Sequence, residues 1–546
     1  MRLWLPLLAC GCLGPPAANP FEVGPTFEIT VAPDTLEIVA GPNGSEPVPF
    51  TATVHFPDGT DAPPDAVEWG VSNRSIGDIG TDGLFTASGF TGGEAWITAE
   101  VGGVVGRADL KVRYHEDRVA DGIDVRAFDA TPTPTTGAWV YPQDGVNLPR
   151  NTPSLLFEWN AAEGAVYRLD FTSHYTSMTV YTDQHEFVAD GPTWATIAGT
   201  NAGGEVSVVL SAALADGTVL QEAPRTLHVN RMDAEGSVIY WSTTSQGLIK
   251  LPWGGAAVNL LTPNEAGGHC VGCHALSNDG KIAFSYDGGN AGMGVKRVAD
   301  MSDIVGPVPD GATAGSTWPG GNFKTFSPDG RLLLSTFLGN IKLYDADTGA
   351  LLKDVLSDGT ATHVDWSPDG KEVVFVRNVP HEADWAFSGP SQIAVLPYLG
   401  NLNFGSWRVV FDPQPGWKAY YPTYSPDGNW IAFNQSTGDA YNDPDAELWV
   451  IDAGGKRPPV RLTNANGEGV LTNSWPHWAP LPDDDVLWLA FSSTRAYGTK
   501  SADKPQIWVA GFDPKKAEQG VDPSWPAFWL TGQDSNTSNH QPFWIR

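Results

Sequence analysis

Phe326-Ser-Pro-Asp-Gly330, Trp366-Ser-Pro-Asp-Gly370 and Tyr424-Ser-Pro-Asp-Gly428 are three copies of one pattern. Each stands directly before an apolar run: Arg331-Leu-Leu-Leu-Ser-Thr-Phe337, Lys371-Glu-Val-Val-Phe-Val-Arg377 and Asn429-Trp-Ile-Ala-Phe-Asn434. Pro fixes φ, Asp caps the turn and Gly supplies positive φ, so Ser-Pro-Asp-Gly reads as a hairpin turn between two strands. Looser copies are Leu276-Ser-Asn-Asp-Gly280 before Lys281-Ile-Ala-Phe-Ser285, and Trp478-Ala-Pro-Leu-Pro482 before Val486-Leu-Trp-Leu-Ala-Phe491. Ser277, Ser327, Ser367, Ser425 and Ala479 therefore share one phase of a repeat.

The chain end carries a sixth copy. Pro542-Phe-Trp544 matches Pro422-Thr-Tyr424 and Pro476-His-Trp478, but the sequence stops at Arg546 with no room for further strands. Ser237-Val-Ile-Tyr-Trp241 and Gly247-Leu-Ile-Lys-Leu251 begin the same region and are the expected partners of that last strand. The spacing between copies suits four strands per repeat. On these motifs residues 232–546 resemble the TolB-like six-bladed β-propeller, closed by the C-terminal strand. The resemblance implies a ring of blades with first strands on a central channel and loops presented to protein partners. It says little about activity.

Composition agrees. The 546 residues include 61 Gly and 44 Pro, which favours short strands over long helices. The expected fold class is all-β. Residues 26–113 alternate strand-like runs, such as Phe27–Val31, Val48–Val54 and Ala95–Ala99, with turns. The order Ala32-Pro33, Trp69, Gly83-Leu-Phe-Thr-Ala87, Gly92-Gly93 resembles bacterial Ig-like β-sandwich domains, with Trp69 in the core. Thr131-Pro-Thr-Pro-Thr-Thr136, within 114–136, reads as a stiff linker. Residues 137–231 resemble a second, fibronectin-type-III-like sandwich, with Leu155–Trp159 facing Val166–Phe171. Neither module shows a catalytic set; both read as spacers, with His174 and His185 at the surface.

The net charge is −31, which excludes nucleic acid as a partner and a basic membrane patch. Residues 1–9, MRLWLPLLA, form a short signal-like apolar run before Cys10. Leu7-Leu-Ala-Cys10 resembles the bacterial lipobox, which implies a lipidated Cys10, residues 10–25 as a tether, and a place in the cell envelope held by a lipid anchor only. An ordinary signal cut elsewhere is the alternative.

The one chemical motif is His269-Cys270-Val-Gly-Cys273-His274. Cys-x-x-Cys-His is the c-type haem attachment pattern, in which two thioethers hold the porphyrin and the following His ligates iron. On this reading Cys270 and Cys273 bind haem c and His274 is the proximal ligand, at the channel-lining phase of the repeat. His540, Met293 and His363 are the candidate distal ligands, in that order. A His gives a lower potential and a Met a higher one. The competing readings are a Cys270–Cys273 disulfide and a zinc site that also uses His269. Asp443-Pro-Asp445 and Asp483-Asp-Asp485 lack EF-hand spacing and read as solvated acidic loops. No Gly-x-Ser-x-Gly, His-Glu-x-x-His or Walker sequence occurs. The expected function is electron transfer or redox sensing with an envelope redox partner. The alternative is a non-enzymatic scaffold for envelope proteins.

Overall fold

The computed structural model describes residues 27–546 apart from 163, 290–291, 307–320, 380–385, 388, 442, 482–484 and 502. The signal-like segment, Cys10 and the tether lie outside the described residues, as do Asp483 and Asp484. The chain divides into two compact units, 1–116 and 117–546. Among the described residues, no helix is long and apolar enough to cross a membrane.

The first unit is all β. Glu28–Ala32 pairs with Thr51–His55, and Gly93–Val101 pairs with Glu68–Val71 and with the long strand beginning at Val104. Alternating burial along Glu28–Ala32 and Gly93–Val101 sends Ile29, Val31, Ala95, Ile97 and Ala99 into one core with Phe50, Phe85 and Leu110. Trp69 packs on that core from its edge. The run Val48–Val54 splits into two strands in different sheets, Val48–Pro49 and Thr51–His55. Pro49 has no N–H for a continuous ladder, and buried Phe50 turns aside to donate to the carbonyl of Gly83.

In the second unit, the strands of residues 133–231 lie in two sheets, seven in one and three in the other, with one helix. Leu155–Trp159 and Val166–Thr172 lie in different sheets and face each other, with Phe157 and Phe171 in edge contact at 5.1 Å. Part of the Pro-Thr linker is itself a strand: Thr133–Thr135 runs parallel to Val219–Glu222. The helix Gly191–Thr200 carries little signal in the sequence, because Gly and Thr are poor helix formers. It forms because Asp190 caps it through the N–H of Thr193, Pro192 suits its first turn, and Trp194 and Ile197 bury. This module shares one hydrophobic core with the repeats that follow. The buried carboxylate of Glu158 accepts from the backbone N–H and hydroxyl of Thr499, and Trp529 N–H donates to the Tyr141 hydroxyl. It is docked, not merely strung beside them.

Residues 237–545 make six sheets. Their innermost strands are Asn539–Ile545 in the first, then Val271–Leu276, Lys324–Phe326, Ala361–Trp366, Lys418–Tyr424 and Ser474–Trp478. Five sheets have four strands and the fourth has an extra one, Arg408–Phe411. The innermost strands neighbour one another in cyclic order, and Asn539–Ile545 lies between Ser474–Trp478 and Val271–Leu276. That last strand pairs with Ser237–Ser242, Val238 opposite Trp544 and Ile239 opposite Phe543. The chain's end thus completes the sheet that opens the region.

The Ser-Pro-Asp-Gly turns are built alike. The Ser oxygen donates to the Asp carboxylate at 2.6 Å in Ser327–Asp329 and 2.8 Å in Ser367–Asp369. It also accepts the N–H that opens the next strand, from Leu332, Glu372 and Trp430. Gly330, Gly370 and Gly428 sit at φ 72–73°, open to glycine and strained for other residues.

Candidate functional site

Each innermost strand but the third carries the same irregularity. Cys273-His274, His363-Val364, Tyr421-Pro422, Trp475-Pro476 and Gln541-Pro542 each place two residues against one on the partner strand. The first residue of each pair has positive φ, from 46° at Cys273 to 60° at Trp475. These are β-bulges, which re-aim side chains and leave backbone groups out of the ladder. Pro fits the second place because its missing N–H is not needed there. The residue opposite is buried and aromatic every time: Phe284, Phe375, Phe433, Phe491 and Tyr240.

The bulges assemble one layer around the axis. Phe323, His363, Tyr421, Trp475 and Gln541 line a small cavity of about 40 Å³. Tyr421 stacks on Trp475 at 3.8 Å, and His363 meets Phe323 and Tyr421 at 4.2 Å. Asp365 and His477 line both this cavity and a funnel of about 540 Å³ framed by the Ser-Pro-Asp-Gly turns, and Phe543 lines the cavity alone. Asp365 is half-buried there, and desolvation raises its carboxyl to about 6. Its oxygens accept from the Thr325 hydroxyl and the Tyr424 N–H.

Cys270 and Cys273 form no disulfide, and both are half-buried. Burial, then the Asp287 carboxylate, pushes the Cys270 thiol up. Asp287 also accepts from the Cys270 N–H at 2.9 Å and contacts His269 at 2.6 Å. His274 lies in the second bulge place, where three other strands have Pro. Its ring is 1% exposed, and its Nε2 meets the carbonyl oxygen of Ile239 at 3.1 Å. Burial lowers its pKa to about 3. A carbonyl only accepts, so Nε2 carries the proton. His363 shares the layer of Cys273, its Nδ1 accepting from the N–H of Tyr421 at 3.3 Å. His540 is buried between Trp241 and Tyr441, with its pKa lowered by burial to about 4. Met293 is fully buried in a separate core with Val295, Phe326 and Leu333.

This arrangement does not fit a haem c. The thiols are available, but the nitrogen that would face iron is protonated against Ile239, and the cavity on the axis has room for a few atoms. No group of three His, Cys, Asp or Glu among the described residues could hold a metal ion, so Cys270, Cys273, His269 and His274 do not assemble a zinc site. Asp443 is buried and accepts backbone N–H groups of its own loop. Trp475, Trp478, Trp488, Trp529 and Trp544 are all buried.

Residues missed in the sequence are Lys324, Tyr421, Trp475, His477 and Gln541. Counting four places back from the Ser of each turn would have found the layer. Lys324 Nζ, buried, donates to the carbonyls of Cys273, Asn322 and Gly321 and to Ser285 Oγ. Burial lowers its pKa to about 7. Burial also lowers His477 to about 3.

No family model matches the chain. It is similar to dipeptidyl-peptidase 5 of Porphyromonas gingivalis, 32% identical over 99 residues, which are 18% of this chain and 14% of that protein. Similar solved structures include a TolB from Acinetobacter baumannii (17% identity, 63% of this chain and 80% of that one, TM-score 0.38). Another is a TolB described as putative from Agrobacterium tumefaciens (16%, 57% and 99%, TM-score 0.32). A third is the hydrazine synthase of Kuenenia stuttgartiensis (15%, 52% and 78%, TM-score 0.32). The chain spans a small part of the curated relative and most of each solved chain.

Proposed function

We propose that the chain is a non-enzymatic binding scaffold of the cell envelope: two Ig-like sandwiches followed in the sequence by a closed six-bladed β-propeller, with a lipid anchor at Cys10. The observation that carries this reading is the funnel. Turns from several sheets surround it, and Pro328, Pro368 and Pro426 stiffen its rim. Prolines and capped turns lose little entropy when a partner docks. Its floor is filled by side chains, so it suits an extended protein segment entering from the rim. The net charge of −31 favours a partner with a basic patch. The sequence Leu7-Leu-Ala-Cys10 supports the envelope placement.

The test is site-specific photo-crosslinking of the full chain in its native envelope. A crosslinker at Asn278 or Pro426, on the rim, should capture a discrete protein; one at Leu351, on an outer strand, should not. Equal capture at both places, or none at the rim, rejects the funnel as the binding site.

A further inference from the structure

Four residues lining the axial cavity carry a buried polar atom with no hydrogen-bond partner: His363 Nε2, Tyr421 Oη, Trp475 Nε1 and Gln541 Oε1. These residues are between 3% and 6% exposed. Buried polar groups left unpaired cost about 1–3 kcal/mol each, so four around one cavity point to a missing occupant. Their chemistry has a sign. Trp475 Nε1 only donates, and Tyr421 has a hydroxyl proton to give. His363 Nδ1 already accepts from the Tyr421 N–H, which leaves the proton on Nε2. A half-turn of the Gln541 amide turns its acceptor into a donor. Three donors and a convertible fourth repel a cation.

Lys324 lies on the same wall. Its ammonium is buried among carbonyls and a hydroxyl, and no carboxylate among the described residues pairs with it. A buried charge without a counter-charge is costly. Asp365, also on the wall, has both oxygens engaged by Thr325 and Tyr424. A cavity of about 40 Å³ holds about one or two water-sized particles. We infer that the channel layer of His363, Tyr421, Trp475 and Gln541 binds a monatomic halide-sized anion beside Lys324. It would pin the innermost strands together at the axis. This inference is independent of the funnel and of any partner.

The probe is bromide. Crystals of the full chain soaked in sodium bromide should show an anomalous peak in the cavity, whereas sulfate, too large for it, should not enter. In solution, bromide should raise Tm saturably over sodium gluconate at equal ionic strength. Tyr421→Phe keeps its ring, Trp475→Phe keeps a smaller aromatic ring in the stack, and each removes one donor. Each should weaken the apparent bromide affinity about tenfold, as expected for one hydrogen bond to a charged acceptor. Asp365→Asn should tighten it by removing a negative charge. Water alone in the cavity, or a bromide peak and Tm response unchanged in both donor variants, overturns the proposal.

Discussion

The Nε2–H of His274 donates to the carbonyl oxygen of Ile239 at 3.1 Å, across the gap between two sheets. The ring is held there by its place in the bulge and by Phe543, 4.8 Å away. In the sequence His274 completes a haem-attachment motif. In the fold it is a buried, neutral strut.

The consequence for the thiols is direct. A chain produced in a host with cytochrome c maturation should give no pyridine haemochrome band. Native protein should instead react with a thiol reagent at Cys270 and Cys273, measured as the difference from the Cys270→Ser plus Cys273→Ser variant. Cys270 should react slowly at neutral pH, because burial and Asp287 hold its thiol protonated. A haemochrome band lost in the double variant would show that haem attaches at these two thiols and would overturn this expectation.

Stability should fall as the medium is acidified. His274, His477 and His540 have folded pKa values of about 3, 3 and 4, below the usual 6.5. For these groups the unfolded chain binds more protons, so their contribution is full above about pH 6.5 and is lost progressively below it. Each of these histidines contributes a slope of up to about 1.4 kcal/mol per pH unit in that window. Asp365 works the other way: with its carboxyl raised to about 6, the folded state gains protons first and recovers part of the loss. Melting of wild type and His477→Phe at pH 7, 6 and 5 checks this. The Phe ring keeps the contact with Phe543, so the variant should lose less Tm on acidification. Parallel curves would show that His477 is not a source of the acid sensitivity.

The repeat was legible because its signals are local. Ser, Pro, Asp and Gly each have a conformational job within four residues, and the phase they set places His274, Pro422 and Pro476 correctly in one register. The last strand's partnership was legible too, since Pro542-Phe-Trp544 is a first strand without sheet-mates. The bulge was harder to read. Nothing in Cys273, His363, Tyr421, Trp475 and Gln541 looks alike, and only their shared backbone conformation makes them one layer. His274 turns on the same point: a motif names residue types, whereas the bulge decides which way the ring faces. The helix at Gly191–Thr200 escaped because its propensity is weak and packing of Trp194 and Ile197 overrides it.

The turn serine should be measurable one copy at a time. Ser367 Oγ accepts from the N–H groups of Lys371 and Glu372 and donates to Asp369. Ser367→Ala should cost about 1 kcal/mol of stability by denaturant titration. Gly370→Ala, forced to φ 72°, should cost about 1–2 kcal/mol. The corresponding changes at Ser327 and Ser425 lie in other sheets and should add nearly independently. A triple variant as stable as wild type would mean that the neighbouring Asp and Gly suffice to hold the turn.

Trp544 is the strongest single probe of how the ring is held. It is 6% exposed, donates from Nε1 to the carbonyl of Glu235 at 2.7 Å, and stacks on Trp253 at 5.5 Å. Its strand is innermost in the first sheet, so it links the end of the chain to residues about three hundred positions earlier. Trp544→Ala removes a buried ring and leaves a cavity, at about 3–5 kcal/mol. Trp544→Phe keeps most of the stack and loses the hydrogen bond, at about 1–2 kcal/mol. Deleting residues 539–546 does more: it strips the innermost strand from Ser237–Ser242 and bares a sheet edge, which invites pairing between chains. The deletion should therefore migrate as soluble aggregate on size exclusion, whereas Trp544→Ala should remain the same size as wild type with a lowered Tm. A deletion variant of wild-type size and wild-type Tm would show that the other five sheets hold the ring without the C-terminal strand.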